Sequence, residues 1–197
     1  MKKKIPADTL VQKLNEKILD KLDISKTLIL GVVLKGLPVA YGIARINHTT
    51  ENFVPVVAHR PLQLQHYVNS YLPSLEWKSY LQEQLNHFES LIIIDDVVNS
   101  GFTKQKLESI AISLTKGYRI YRWFAALILN RKTLAGPSFV YPCDIFALQV
   151  SAKEVECDWG TITVPLWDLP IEKARQRCEE YFQKHWLSEK RFVTITY

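Results

Sequence analysis

Leu91-Ile92-Ile93-Ile94-Asp95-Asp96-Val97-Val98-Asn99-Ser100-Gly101-Phe102-Thr103 is the stretch whose reading decides the fold. Four large apolar residues in succession read as a strand buried on both faces, since a half-exposed strand would alternate. That strand delivers two adjacent carboxylates. After Val97 and Val98 a short polar loop leads into residues 103–116, which read as a helix ended by Gly117. Each part of the run has a chemical use. Gly101 lets the backbone turn tightly, so that several N–H groups can converge on an anion. The helix N-terminus adds positive partial charge, and the Ser100 and Thr103 hydroxyls can donate to phosphate oxygens. Asp95 and Asp96 are acceptors, suited to sugar hydroxyls or to a magnesium ion with its waters. One loop thus offers donors for a phosphate and acceptors for a diol. A capped helix after a buried strand explains one or two of these residues, but not the whole ordered run.

Outward from this segment the pattern repeats. Leu28–Leu34 is an apolar run of strand length, stopped by Lys35-Gly36-Leu37-Pro38, and Pro38 suits the first turn of a helix over Val39–Ile46. Phe53–His59, Tyr118–Leu129 and Cys143–Val150 read as further strands. Leu10, Val11, Leu14, Ile18 and Leu22 recur at helical spacing over residues 7–22. Ile171, Ala174, Cys178, Tyr181, Phe182 and Trp186 mark one side of a last helix opened by Pro170, and residues 191–197 read as a short terminal strand. Continuous apolar strands separated by helices predict an α/β fold, a parallel sheet with helices on both faces. Ligands bind beyond the carboxyl ends of such strands, so the informative positions follow Leu34, His59, Ile94 and Leu129. No repeat or flexible linker interrupts the chain, which reads as a single domain over residues 1–197.

Composition narrows the classes. With 47% hydrophobic and 23% charged residues the balance is that of a globular domain. The longest apolar runs, Leu28–Leu34 and Trp123–Leu129, are far below the roughly 20 residues of a membrane-spanning helix. Met1-Lys2-Lys3-Lys4 is followed by Pro6, Asp8 and Gln12 where a secretory signal needs an apolar segment, so a cytoplasmic protein is expected. Cys143, Cys157 and Cys178 form no Cys-x-x-Cys pair, which disfavours a zinc site and fits reduced thiols. The net charge of +5 reads as a solvated surface with a lysine tail. Nucleic acid is the less favoured partner, because no basic block is interleaved with aromatic residues.

The Leu91–Thr103 segment resembles the signature of the type I phosphoribosyltransferases: an apolar strand, an acidic pair, two apolar residues and a short hydroxyl-glycine loop. Asp95 and Asp96 match the pair that contacts the ribose hydroxyls, and Asn99, Ser100, Gly101, Phe102 and Thr103 match the loop that holds the 5-phosphate. Some sixty residues earlier stands Gly31-Val32-Val33-Leu34-Lys35-Gly36-Leu37-Pro38-Val39-Ala40. Its two glycines have Walker A spacing, yet Leu37-Pro38 occupy the positions where Lys and Ser/Thr are required. Leu34-Lys35-Gly36 instead resembles the diphosphate loop of the hypoxanthine-guanine enzymes, although Leu37 stands where that family often has a small residue. The resemblance covers about residues 28–150.

What the resemblance implies is a phosphoribosyltransferase type I fold with a small hood. The expected donor is 5-phosphoribosyl 1-diphosphate, with a heterocyclic base as acceptor, purine favoured, and Mg2+ held by Asp95 and Asp96 directly or through water. Asp95, Asp96 and Lys35 are the expected catalytic residues. Lys35, Gly36 and Trp159 join residues 95, 96 and 99–103 in the expected substrate site. The Leu34–Lys35 peptide is expected to adopt a cis or strained form. Residues 60–90, helical in part over 75–88, are expected to contain a loop that closes over the site, with Arg60, His66, Tyr67, Tyr71 and Lys78 as candidates. His59 and His66 fit surface or hinge positions better than a metal pair.

The hood is expected over residues 151–169. There Glu156-Cys157-Asp158-Trp159-Gly160, with Trp167 nearby, offers a ring either to stack on a base or to pack against the sheet edge. Residues 170–197 form a C-terminal extension whose Tyr181, Phe182 and Trp186 serve either a homodimer or packing onto the chain's own sheet. Asn99 departs from the hypoxanthine-guanine pattern, which has an aspartate there. An amide cannot take a proton from the base, which leaves room for a non-catalytic sensor of the donor.

Overall fold

The computed structural model describes residues 1–33, 35–57, 81–134, 141–159, 170–187 and 190–197. Five parallel strands form the main sheet: β2 (Thr27–Val33), β3 (Phe53–Val57), β4 (Ser90–Val98), β5 (Tyr121–Asn130) and β6 (Asp144–Val150). Their order is β3-β2-β4-β5-β6. The apolar runs form the centre because each strand there is covered on both sides. Leu28, Ile92, Ile94, Phe124 and Ala125 are all fully or almost fully buried.

Chain order reverses between β2 and β4. Right-handed crossovers in opposite directions then put the two following helices on opposite faces. Helix α2 (Gly36–Ile46) packs on β2 and β4, beside α1 (Ala7–Leu19), which covers β6 and β5; α3 (Phe102–Leu114) lies against β4 and β5 on the other face. The α/β class, the parallel sheet and the helices on both faces agree with the sequence reading. Residues 81–87, described out of the helix expected over 75–88, are helical.

Strand β4 runs further than its apolar residues suggest. It pairs with β2 only as far as Gly31 opposite Ile94, but with β5 through Asp95 opposite Ala126, Val97 opposite Ile128 and Val98 opposite Leu129. The acidic pair therefore sits within the strand, where β5 supplies the backbone partners and the β2 side has opened.

A second, antiparallel sheet has the order β1-β8-β7, joining Lys2–Pro6, Phe192–Thr196 and Glu154–Cys157. The segment expected to form the hood, 151–169, has its described strand β7 paired with the C-terminal strand β8. Lys2, Lys3 and Lys4 are a strand, although their side chains stay exposed as a solvated tail would. Lys2, Thr196 and Glu154 share one cross-strand row, and Lys4, Thr194 and Glu156 another. Acidic residues thus offset the lysines along the sheet.

The last helix α4 (Ile171–Tyr181), continued by a π-turn over Phe182–Leu187, packs back onto α2 and the β3 edge. Arg175 donates to the carbonyls of Phe53 and Glu51, and Glu179 accepts from Tyr41 and, at 2.6 Å, from Arg45. Phe182 and Trp186 are buried within the chain. Two of the three aromatic residues weighed for a homodimer are thus used in packing onto the chain itself, while Tyr181 is half-buried. Among the described residues no helix is long and apolar enough to cross a membrane.

Candidate functional site

Two loops meet where the chain order reverses, at the carboxyl ends of β2 and β4, the position at which open α/β sheets bind ligands. A Cβ on Gly36 would lie 2.7 Å from both Cα and Oδ1 of Asp95 and 3.0 Å from the Ile94 carbonyl oxygen. Only glycine allows this approach, and it sets the start of α2 directly against the acidic pair. Segments sixty residues apart in sequence are in contact here.

Asp95 is 7% exposed, and its Oδ1 accepts from the Asp96 backbone N–H at 2.8 Å. Asp96 is half-buried. The Cys157 thiol, at the end of β7, neighbours the Asp96 carboxylate. Burial, then the Asp96 carboxylate, pushes that thiol well above its ordinary value, with Lys35 opposing. It is a buried neutral neighbour of the acidic pair.

The loop after β4 turns at Gly101, whose φ of 80° lies in the left-handed region, and α3 begins at Phe102. Gly101 brings no side-chain cap to the first turn of α3, where the Phe102 N–H makes a long bond of 3.5 Å to Ser100 Oγ, a turn of the kind that offers helix N–H groups to an anion. Ser100 and Thr103 are half-buried at the same turn, while the Phe102 ring points out, 40% exposed, with the Lys106 ammonium 5.6 Å from its centroid. The helix is pinned from beneath by Lys104, fully buried, which contacts Glu108 at 2.6 Å and Asp144 of β6 at 3.1 Å.

Asn130, at the carboxyl end of β5, went unnamed in the sequence reading although it directly follows Leu129, one of the four places marked as informative. It is fully buried. Its Nδ2 donates to the Ala152 carbonyl at 3.1 Å and to Asn99 Oδ1 at 3.3 Å; its Oδ1 accepts from the Ala152 N–H at 3.1 Å. It thereby ties the phosphate-type loop to the connection between β6 and β7. Only its position at a strand end signalled it, since a lone Asn carries no motif.

Lys35 is the N-cap residue of α2, and its ammonium donates to the Cys157 carbonyl at 3.2 Å. The Trp159 indole N–H donates in return to the Lys35 carbonyl at 2.8 Å. Trp159 is 4% exposed and lies edge-on to Trp186, with ring centroids 5.3 Å apart. Of the two roles weighed for it, packing is the one the geometry favours, with Trp186 of the C-terminal segment as its ring partner. Leu34, and with it the Leu34–Lys35 peptide, lies outside the described residues, as do His59, Arg60, His66, Tyr67, Tyr71, Lys78, Gly160 and Trp167.

No protein-family model matches the chain, and no curated protein matches its sequence. Solved structures do match. The xanthine-guanine-hypoxanthine phosphoribosyltransferase of Helicobacter pylori superposes with a TM-score of 0.51 at 12% identity, over 74% of this chain and 82% of that one. A purine phosphoribosyltransferase from Pyrococcus horikoshii reaches 0.44 at 15% identity, over 73% and 82%, and an orotate phosphoribosyltransferase from Aeropyrum pernix 0.43 at 15%, over 72% and 70%. The first of these shows that the chain has the phosphoribosyltransferase fold.

Proposed function

We propose that the chain is a phosphoribosyltransferase, which transfers the 5-phosphoribosyl group of 5-phosphoribosyl 1-diphosphate to a ring nitrogen of a nucleobase-like heterocycle, purine favoured, and releases diphosphate. The observation that carries this reading is the contact of Gly36 with Asp95. It puts the loop suited to a diphosphate beside the carboxylates suited to a ribose, on the same strand that leads into the loop suited to a 5-phosphate. All three parts of one donor molecule are then served at one sheet mouth.

In this reading Ser100, Gly101, Phe102 and Thr103 bind the 5-phosphate through backbone N–H groups and hydroxyls. Asp95 and Asp96 accept from the ribose hydroxyls, and Lys35 and Gly36 bind the diphosphate. As the carbon–oxygen bond to diphosphate breaks, its electron pair leaves with the diphosphate, and Lys35 steadies the departing charge. The base nitrogen closes on the anomeric carbon and gives up its ring proton to the departing diphosphate, while the site keeps water away. Asp95 and Asp96 offer carboxylate oxygens and Cys157 is neutral; among the described residues no group of three or more His, Cys, Asp or Glu could hold a metal ion. That set fits Mg2+ that keeps most of its own waters and takes further oxygens from the donor. Bound there, the ion would supply charge neutralisation for the leaving diphosphate.

A second reading, a sensor that binds the donor without turnover, is favoured by Asn99. It cannot accept a proton, and its Oδ1 already accepts from Asn130. One assay separates the two: donor with Mg2+ against a panel of purine, pyrimidine and pyridine bases, scored by diphosphate release, with donor binding followed by calorimetry. Release with a purine is expected. Tight donor binding without release for any base establishes the sensor, and absence of donor binding refutes both.

A further inference from the structure

The hood-side strand and the diphosphate-type loop clasp each other through two reciprocal bonds. Lys35 Nζ donates to the Cys157 carbonyl, and Trp159 Nε1 donates to the Lys35 carbonyl. The second bond comes from a side chain with little freedom. Trp159 is edge-on to Trp186, whose own indole N–H donates to Asp8 at 3.0 Å. Trp186 stacks on Phe182, Phe182 leans on Tyr41, and Tyr41 meets Phe53 edge-on. The row of rings runs from the small sheet across α4 and α2 to β3, and it locks the direction of the Trp159 donor.

We infer that Trp159 is a positioning residue for the Lys35-Gly36 loop, holding the Lys35 carbonyl on the hood side so that the peptide presents its N–H, and not its oxygen, to a diphosphate. In a trans peptide the carbonyl and the following N–H point in opposite directions, so anchoring the Lys35 oxygen also fixes the Gly36 N–H. A carbonyl oxygen turned toward the diphosphate would repel it. Burial leaves the indole no open face for a base, and the hydrogen bond occupies its only polar atom. Trp159 therefore governs the diphosphate end of the site. The inference rests on the diphosphate role proposed above for this loop.

Trp159→Phe keeps a ring against Trp186 and removes the N–H. Calorimetry with inorganic pyrophosphate and Mg2+ is expected to show roughly tenfold weaker binding, the worth of one such bond. Ribose 5-phosphate, which uses residues 95, 96 and 100–103, should change less than about twofold by the same arithmetic. Trp123→Phe, in β5 and outside this row of rings, is the control and should leave pyrophosphate affinity unchanged. Equal losses for both ligands, or an unchanged pyrophosphate affinity in Trp159→Phe, overturn the inference. The unmodified protein gives a readout that needs no variant. The Trp159 indole N–H should exchange slowly with solvent before any ligand is added, and more slowly still with pyrophosphate. Rapid exchange overturns the anchor. Slow exchange in a protein that binds neither ligand instead overturns the proposed function and leaves the anchor standing.

Discussion

The phosphate-type loop and the diphosphate-type loop stand side by side but are built by opposite means. The first is local: strand, carboxylates, turn and helix follow one another over Ser90–Leu114 without interruption. The second is held from a distance, since Lys35 is bonded to Cys157 and Trp159, more than 120 residues away in sequence. Loop closure over such separations costs conformational entropy that a contiguous motif never meets. A site of this kind can have one half prepared by local sequence and the other only once the chain has folded. Asn130 and Lys104 show that even the local half borrows support from β5 and β6.

The largest effect should come from the local half itself. Replacing both carboxylates, Asp95→Asn with Asp96→Asn, removes the charge-assisted acceptors proposed for the ribose hydroxyls. Donor affinity by calorimetry should fall roughly 100-fold, or about 3 kcal/mol. Unchanged affinity would remove the diol site from this loop and leave the comparison without its first member.

A smaller effect tests how far the local half leans on distant residues. Asn130→Leu strips both partners from the Ala152 backbone and the donor from Asn99. Buried backbone groups left unpaired should cost about 1–3 kcal/mol in denaturant unfolding. Donor binding should weaken by the same variant, because Asn99 loses its tether. Full stability would mean the phosphate loop stands alone.

The smallest effect concerns the pin beneath α3. Burial holds the Glu108 carboxyl above its ordinary value despite the opposing pull of Lys104, and burial raises Asp144 likewise. A folded pKa above the unfolded one means that the Glu108 contribution is complete below the ordinary value of 4.5 and is lost as pH rises through the folded value. Glu108→Gln cannot ionise. From about pH 4 upward it should gain on the unmodified protein, the gain growing until Glu108 is ionised in both states. A difference that stays flat with pH would mean that the pull of Lys104 cancels the effect of burial, and one that turns against Glu108→Gln as pH rises would mean that Lys104 decides the ionisation.

Much of the architecture was legible because parallel strands announce themselves as apolar runs. Thr27–Val33, Ser90–Val98, Tyr121–Asn130 and Asp144–Val150 all fall on segments read as strands. The extension of β4 through Asp95 and Asp96 was hidden, since carboxylates disfavour strands and only pairing with β5 overrides that preference. Strand β1 was hidden too: Lys2-Lys3-Lys4-Ile5-Pro6 has no alternation, and its pairing with β8 joins the two ends of the chain.

By itself, then, the sequence determined the α/β class, the run from acidic pair to helix, and the glycine that the second loop needs. These depend on contiguous residues whose periodicity and backbone freedom are properties of the segment. Tertiary structure alone decided that Gly36 touches Asp95, that Asn130 ties Asn99 to Ala152, and that Trp159 turns its N–H to Lys35. The reason is physical. A buried hydrogen bond between distant groups leaves no period in the sequence, and its partners exist as partners only after the core has excluded water from both.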